Sequence, residues 1–137
     1  MNTTTEQTPA QKTAAQKTAA ILTAVAAHLT AHPHLPAVNV GRDGDVHIAS
    51  YGSDWTDETG LIAWAETLPD ATITADRYPE TVDTDTDTVV RLRTTIHGQK
   101  IEVWDAIATC DALALEPDSK RTLTLAELRV IAEQVNP

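Results

Sequence analysis

The sequence predicts an α+β domain in which a single antiparallel sheet of about five strands carries helices on one face. Three observations lead to this fold class: a hairpin pattern between residues 89 and 106, helical spacing of apolar residues in three segments, and short connections that favour antiparallel pairing. The predicted order of elements is α-β-β-α-β-β-β-α. With 137 residues, the chain is long enough for one such domain with its own core.

The first helix is predicted by an apolar stripe at residues 21, 22, 25, 26 and 29, and it should end near His32 because two prolines follow. Residues 10–14 and 15–19 have the same sequence, Ala-Gln-Lys-Thr-Ala. A five-residue insertion rotates a helix by about 140° and would misalign a buried face. We therefore expect residues 1–18 to be an exposed helical or flexible extension and residues 19–137 to form the single α+β domain.

The middle of the chain predicts a short hairpin, a helix and a strand. Val38–Val40 and residues 46–48 flank a glycine-containing turn, which is typical of a hairpin. A second helix should begin near Asp54 or Thr56, which are both good N-caps, and should end at Pro69. A strand is predicted over 72–76, and the acidic polar segment 80–88 is interpreted as a loop.

The hairpin between residues 89 and 106 can be aligned residue by residue. His97 and Gly98 form a two-residue turn that tolerates positive φ, and this turn sets the pairing of the two strands. One face of the paired strands is mostly apolar and should point at the core, since a shift of one residue would turn its side chains away. The opposite face holds a charge pair and a guanidinium opposite an indole: Arg93 with Glu102, and Arg91 with Trp104.

The C-terminal part predicts an irregular segment and a helix. Residues 110–122 show no clear periodicity. Thr124 and Glu127 have the spacing of a capping box, which marks the start of the last helix. Apolar residues at 125, 128, 131, 132 and 135 should face inward.

Charge and cysteine content exclude several classes of function. The net charge is −10, and residues 43–87 hold twelve acidic residues and one basic residue. This argues against direct nucleic-acid binding, because phosphate contact needs lysine and arginine. The longest apolar run is well short of the ~20 residues of a membrane span. The lone Cys110 cannot form an intramolecular disulfide, which favours a reducing cytoplasm.

Two clusters have the residue types of cation sites. His28, His32 and His34 are weak candidates for a metal site, because the first two share a helix face but lack a glutamate between them and a clear fourth ligand. The aspartates at 83, 85 and 87 resemble the start of a calcium loop. Thr88 and Thr94 stand where that loop needs glycine and glutamate, so an acidic loop is the better interpretation. No catalytic motif appears, and we expect no cofactor.

The leading hypothesis is a small, acidic, cytoplasmic protein-interaction module with an accessory or regulatory role. Its partner would be another protein or a second copy of the chain, and its contact surface would contain Arg91, Arg93, Glu102 and Trp104, which include the residue types of interface hot spots. One alternative is an acidic decoy of a nucleic-acid-binding protein, based on the acidic segment 43–87. A second alternative is a metal-dependent enzyme that uses the cluster His28, His32 and His34.

Overall fold

The computed structural model describes residues 12–49, 56–79, 87–108 and 111–135. The described elements are three α-helices, six β-strands and a short 3₁₀ helix. In chain order they are α1 (Ala14–Ala31), β1 (Val38–Val40), β2 (Asp45–Ile48), α2 (Asp57–Glu66), β3 (Thr72–Arg77), β4 (Thr88–Ile96), β5 (Gln99–Ile107), the 3₁₀ helix (Asp111–Leu113), β6 (Lys120–Leu123) and α3 (Leu125–Val135). The predicted α+β class is confirmed.

The β4–β5 hairpin has the register that its turn predicts. His97 and Gly98 both have positive φ, 48° and 81°, which suits the twist of the flanking strands. The strands pair from Ile96 and Gln99 at the turn to Thr88 and Ile107 at the far end. The predicted hairpin of β1 and β2 is also present, as an antiparallel pair.

The sheet differs from the prediction in strand number and in direction. It has six strands in the order β1-β2-β5-β4-β3-β6. The prediction of an all-antiparallel sheet is wrong, because β2 runs parallel to β5. The sixth strand, β6, pairs with β3 and overlaps the end of segment 110–122, which the sequence predicts to be irregular. Leu123 is the one buried residue of β6, so this edge strand lacks the apolar alternation that identifies a strand in a sequence.

The three helices and one face of the sheet enclose a single core. Side chains of the inward face belong to the same hydrophobic cluster as the helix residues. The residues that the sequence predicts to face inward from the second helix, Leu61, Trp64, Ala65 and Leu68, are all buried, although α2 ends at Glu66 and Leu68 follows it. Thr56 is the N-cap of α2 and forms a capping box with Thr59. The predicted capping box of α3 is present: the Thr124 amide donates to Glu127, and the Glu127 amide donates to Thr124.

The first helix begins earlier than its apolar stripe. Thr13 caps it and exchanges hydrogen bonds with Gln16, and the residues from Ala14 to Lys17 are exposed. Residues 1–11 lie outside the described part of the chain. The division into an extension over 1–18 and a domain over 19–137 stays a prediction. No helix of the described ranges is long and apolar enough to cross a membrane.

The opposite face of the sheet carries no helix in the part of the chain that the structure describes. Burial largely alternates along β3, β4 and β5, so that most of the inward side chains are buried and most of the outward ones are exposed or half-buried. We call this the uncovered face. Its side chains include Asp45, His47, Thr74, Asp76, Arg91, Arg93, Lys100, Glu102, Trp104, Lys120 and Thr122.

Candidate functional site

The uncovered face holds a network of ion pairs across three strands. Arg93 Nε lies 2.9 Å from Glu102 Oε1, and Arg91 Nε lies 3.7 Å from the same oxygen. Arg91 Nη1 also lies 3.2 Å from Asp76 Oδ2 on β3. The structure therefore brings together the three charged residues that the register predicts, and it adds Asp76. Two guanidinium groups face two carboxylates, so this network is balanced in charge.

Trp104 lies on the same face but stacks on a residue that the sequence does not suggest. Trp104 is opposite Arg91 in the register, as predicted. On its other side the parallel pairing places His47 of β2 directly beside it. The two rings stack, with centroids 4.2 Å apart and an interplanar angle of 17°. The indole is thus held by an imidazole from a strand that lies far from it in sequence.

Beneath His47, a buried carboxyl group interrupts the apolar side of β5. Asp105 is 5% exposed and faces inward between Val103 and Ile107, which are fully buried. Its Oδ1 accepts a hydrogen bond from the Ala106 amide at 2.8 Å and faces His47 Nε2 at 3.3 Å. Its Oδ2 is buried and has no hydrogen-bond donor among the described residues. Burying an oxygen atom without a hydrogen-bond donor lowers the free energy of unfolding by about 1–3 kcal/mol, and by more when the group is charged.

Two more carboxyl groups approach Asp105 from the first turn of α2. Asp57 lies within hydrogen-bonding reach of Asp105, and Glu58 is 5% exposed. We call Asp57, Glu58 and Asp105 the carboxyl cluster. Burial and, after it, the negative charge of Asp57 raise the pKa of Asp105 to about 7, although the hydrogen bond from the Ala106 amide acts in the opposite direction. Burial also raises the pKa of Glu58.

The element on which each member of the carboxyl cluster lies can be predicted from the sequence, but the contact between these residues cannot. The hairpin register places Asp105 on the core face opposite Val90, which is what the structure shows. Asp57 and Glu58 have an ordinary explanation as acidic residues at a helix N-terminus. The one signal in the sequence is an aspartate on an otherwise apolar strand face, because such a group needs a partner.

The histidines at 28, 32 and 34 lie together at the end of α1, but they do not converge on a point. The rings of His28 and His32 are 4.6 Å apart, and those of His32 and His34 are 6.2 Å apart. Within the described ranges, no group of three His, Cys, Asp or Glu side chains has the arrangement of a metal site. The metal-ligating role of these histidines stays a prediction.

His28 has a structural role that accounts for its burial. Its ring stacks on Trp64 at 5.3 Å, and its Nε2 lies 2.8 Å from Thr67 Oγ1. The Thr67 hydroxyl donates to the Trp64 carbonyl at 2.7 Å, so it accepts from His28 and fixes the proton on Nε2. Burial, with the nearby His32 and then His97, lowers the pKa of His28. The neutral ring is therefore favoured in the folded protein.

We expect Thr67→Val to lower the free energy of unfolding by about 1–2 kcal/mol, because it leaves the buried His28 Nε2 without a partner. Urea denaturation at neutral pH measures this loss. Thr30→Val is the matched control, since the Thr30 hydroxyl donates to the Ala26 carbonyl on the exposed side of α1, the helix that carries His28. The control should change stability by less than about 0.5 kcal/mol. Equal losses of stability in the two variants would show that the His28–Thr67 hydrogen bond does not stabilise the protein.

Other candidate residues lie partly outside the described ranges. Asp83, Asp85 and Cys110 are not among the described residues, so the calcium-loop comparison and the state of the thiol stay predictions. Asp87 is described, and its Oδ2 lies 3.6 Å from Arg77 Nε.

Comparisons of the chain with protein-family models, with curated proteins and with solved structures find no match. Function is therefore inferred from the geometry of the chain's own residues.

Proposed function

We propose that the chain is a protein-interaction module with an accessory or regulatory role, and that it binds its partner through the uncovered face. The supporting observation is that large side chains of Arg91, Arg93, Glu102 and Trp104 are held in fixed positions on a face without a helix in the described ranges. Tryptophan and arginine are the residue types that dominate interface hot spots. Ion pairs and stacking reduce the side-chain entropy that is lost when a partner binds.

The charge balance of this network favours a protein partner over a nucleic acid. Arg91 and Arg93 are already paired with Asp76 and Glu102, so they have little net positive charge to offer to a phosphate. The chain as a whole carries −10, and a locally neutral surface lets a partner of any charge approach, including a second copy.

The shape of the uncovered face is also suited to contact with another protein. Two depressions open on either side of Arg93. One, of about 300 Å³, lies over β3, β4 and β6, and the other, of about 540 Å³, lies beside the β1–β2 turn. Partner side chains that enter these depressions would contact the charged network from both sides. Shape of this kind gives specificity that a flat surface would lack.

The test is a double variant, Arg91→Ala/Trp104→Ala, compared with a matched control. The control is Leu22→Ala/Arg129→Ala, which also removes one apolar and one basic side chain but from exposed positions on the helices. Tagged proteins are used to capture partners from a nuclease-treated lysate, and the same proteins are tested for self-association by light scattering. We expect the face variant to bind its partner, or its own copy, at least about thirtyfold more weakly, which corresponds to a hot-spot loss of about 2 kcal/mol.

The control variant and the wild type should bind equally. A partner that is lost in both variants would indicate a general effect on folding, which thermal melting checks directly. Binding that survives in the face variant and fails in the control would place the contact on the helices and contradict the proposal.

A further inference from the structure

The carboxyl cluster stands apart from the proposed binding surface and has a chemistry of its own. It joins two elements of the fold, since Asp105 comes from the middle of β5 while Asp57 and Glu58 belong to the first turn of α2. Both Asp105 and Glu58 are 95% buried. Helix α2 is tightly seated here: a Cβ atom on Gly60 would lie 3.2 Å from the Ile48 side chain.

One carboxyl oxygen of the cluster lacks a hydrogen-bond donor among the described residues. Asp105 Oδ2 is buried and has no donor in the described part of the chain, although the carboxyl group of Asp57 is within hydrogen-bonding reach of Asp105. Two ionised carboxylates can only accept hydrogen bonds, so the contact is favourable only when one of them carries a proton. Carboxyl pairs that share a site ionise stepwise for this reason, and one pKa of the pair rises.

Among the described residues, the groups that face Asp105 supply no permanent positive charge. From β2 the facing group is His47, whose side chain is 40% exposed and which is charged only when protonated. From β4 the residue opposite is the apolar Val90. From α2 the facing groups are Asp57 and Glu58, which are both acidic. The raised pKa of Asp105, about 7, follows from this environment.

We propose that the carboxyl cluster is a proton-binding site. When the site holds a proton, the first turn of α2 is bonded to β5, and when the proton leaves, this turn separates from β5 more readily. The proton bonds Asp57 to Asp105. Without it, charges of the same sign face each other in a buried place, and the end of a helix is the element that can move with the fewest lost contacts. Strand β5 is fixed by its pairing with β4 along its whole length.

His47 connects this site to the uncovered face. Its ring stacks on Trp104, and its Nε2 faces Asp105 Oδ1. A change in the charge of Asp105 therefore acts on a side chain that holds Trp104 in position. The proton-binding site itself does not depend on the proposed function, and it stands whether or not the uncovered face binds a partner.

The experiment compares the full-length wild type with Asp105→Asn, which keeps the shape and cannot ionise. Hydrogen exchange of peptides that cover residues 57–66 is followed at about pH 5.5 and pH 8, corrected for the intrinsic rate of amide exchange. Carboxyl carbon shifts are titrated in parallel by nuclear magnetic resonance. Asp57→Asn is the second variant in case the first does not fold, and Asp70→Asn is the control, because Asp70 lies at an exposed position after α2.

We expect protection of the first turn of α2 to fall at least about tenfold from the lower to the higher pH in the wild type and in Asp70→Asn, and to stay nearly constant in Asp105→Asn and Asp57→Asn. One carboxyl group should titrate near pH 7 in the wild type, and this transition should be absent from the Asp105→Asn variant. An equal fall of protection in Asp105→Asn, or a wild type in which every carboxyl group titrates below about pH 5, would overturn the proposal.

Discussion

Asp105→Asn is expected to stabilise the protein above pH 7 by up to about 4 kcal/mol, which is the free energy that corresponds to a pKa of about 7 in place of 3.8. The folded protein holds a proton on this group that the unfolded chain releases. The stability that this proton provides is complete below about pH 4 and is lost as the pH rises to about 7. Asparagine is neutral throughout, and its amide can donate to Asp57. Urea denaturation at about pH 5 and pH 8 measures both stabilities.

The variant should be more stable than the wild type by a smaller amount at the lower pH, where part of the stability that the proton provides is still present, than at the higher pH, where it is lost. Asp70→Asn is again the control and should follow the wild type at both values. A variant that is less stable than the wild type at the higher pH would mean that ionised Asp105 is stabilised, through His47 or otherwise, and that burial of its charge is not the dominant cost.

Gly44→Ala is expected to lower the free energy of unfolding by about 3 kcal/mol or more, because two effects combine. Gly44 has a φ of 88°, and an added Cβ atom would lie 2.5 Å from the Lys100 carbonyl oxygen. The Gly44 carbonyl also accepts a hydrogen bond from the Glu102 amide at 2.8 Å. The substitution should therefore push the β1–β2 hairpin away from β5 and separate His47 from Trp104.

Gly98→Ala is the matched control for this prediction. Gly98 has a similar φ of 81°, but an added Cβ atom there would meet no atom within 4 Å. Its cost should be limited to the backbone strain of about 1–2 kcal/mol. Chemical denaturation of the two variants gives the difference. Equal losses would show that close contact at Gly44 does not hold the parallel pair of β2 and β5 in place.

The parts of the fold that are local in sequence could be predicted, and the reason is visible in the hairpin of β4 and β5. Its turn residues determine the register, and the register then places Arg93 opposite Glu102 without any information from the rest of the chain. The capping box of α3 and the N-cap of α2 are equally local. The edge strand β6 cannot be predicted locally, because its pairing with β3, and not its own sequence pattern, makes it a strand.

The candidate sites could be predicted only in part, because they depend on contacts that are distant in sequence. His47 and Asp105 are 58 positions apart, and they meet because β2 runs parallel to β5. No local pattern indicates that pairing, so the stack on Trp104 could not be foreseen. In a similar way, the packing of α2 against the sheet brings Asp57 close to Asp105. The sequence thus places the side chains of the β4–β5 hairpin on the correct strand and face, while tertiary packing decides which residues from other elements become their neighbours.

The most direct measurement of binding through the uncovered face is oxidative footprinting of Trp104. The isolated protein and the captured complex are exposed to hydroxyl radicals, and the oxidation of Trp104 is compared with that of Leu22, which is 47% exposed on α1. We predict that the complex protects Trp104 and leaves Leu22 as reactive as in the isolated protein. Unchanged oxidation of Trp104 together with protection of Leu22 would show that the partner binds the helices, and would contradict binding through the sheet.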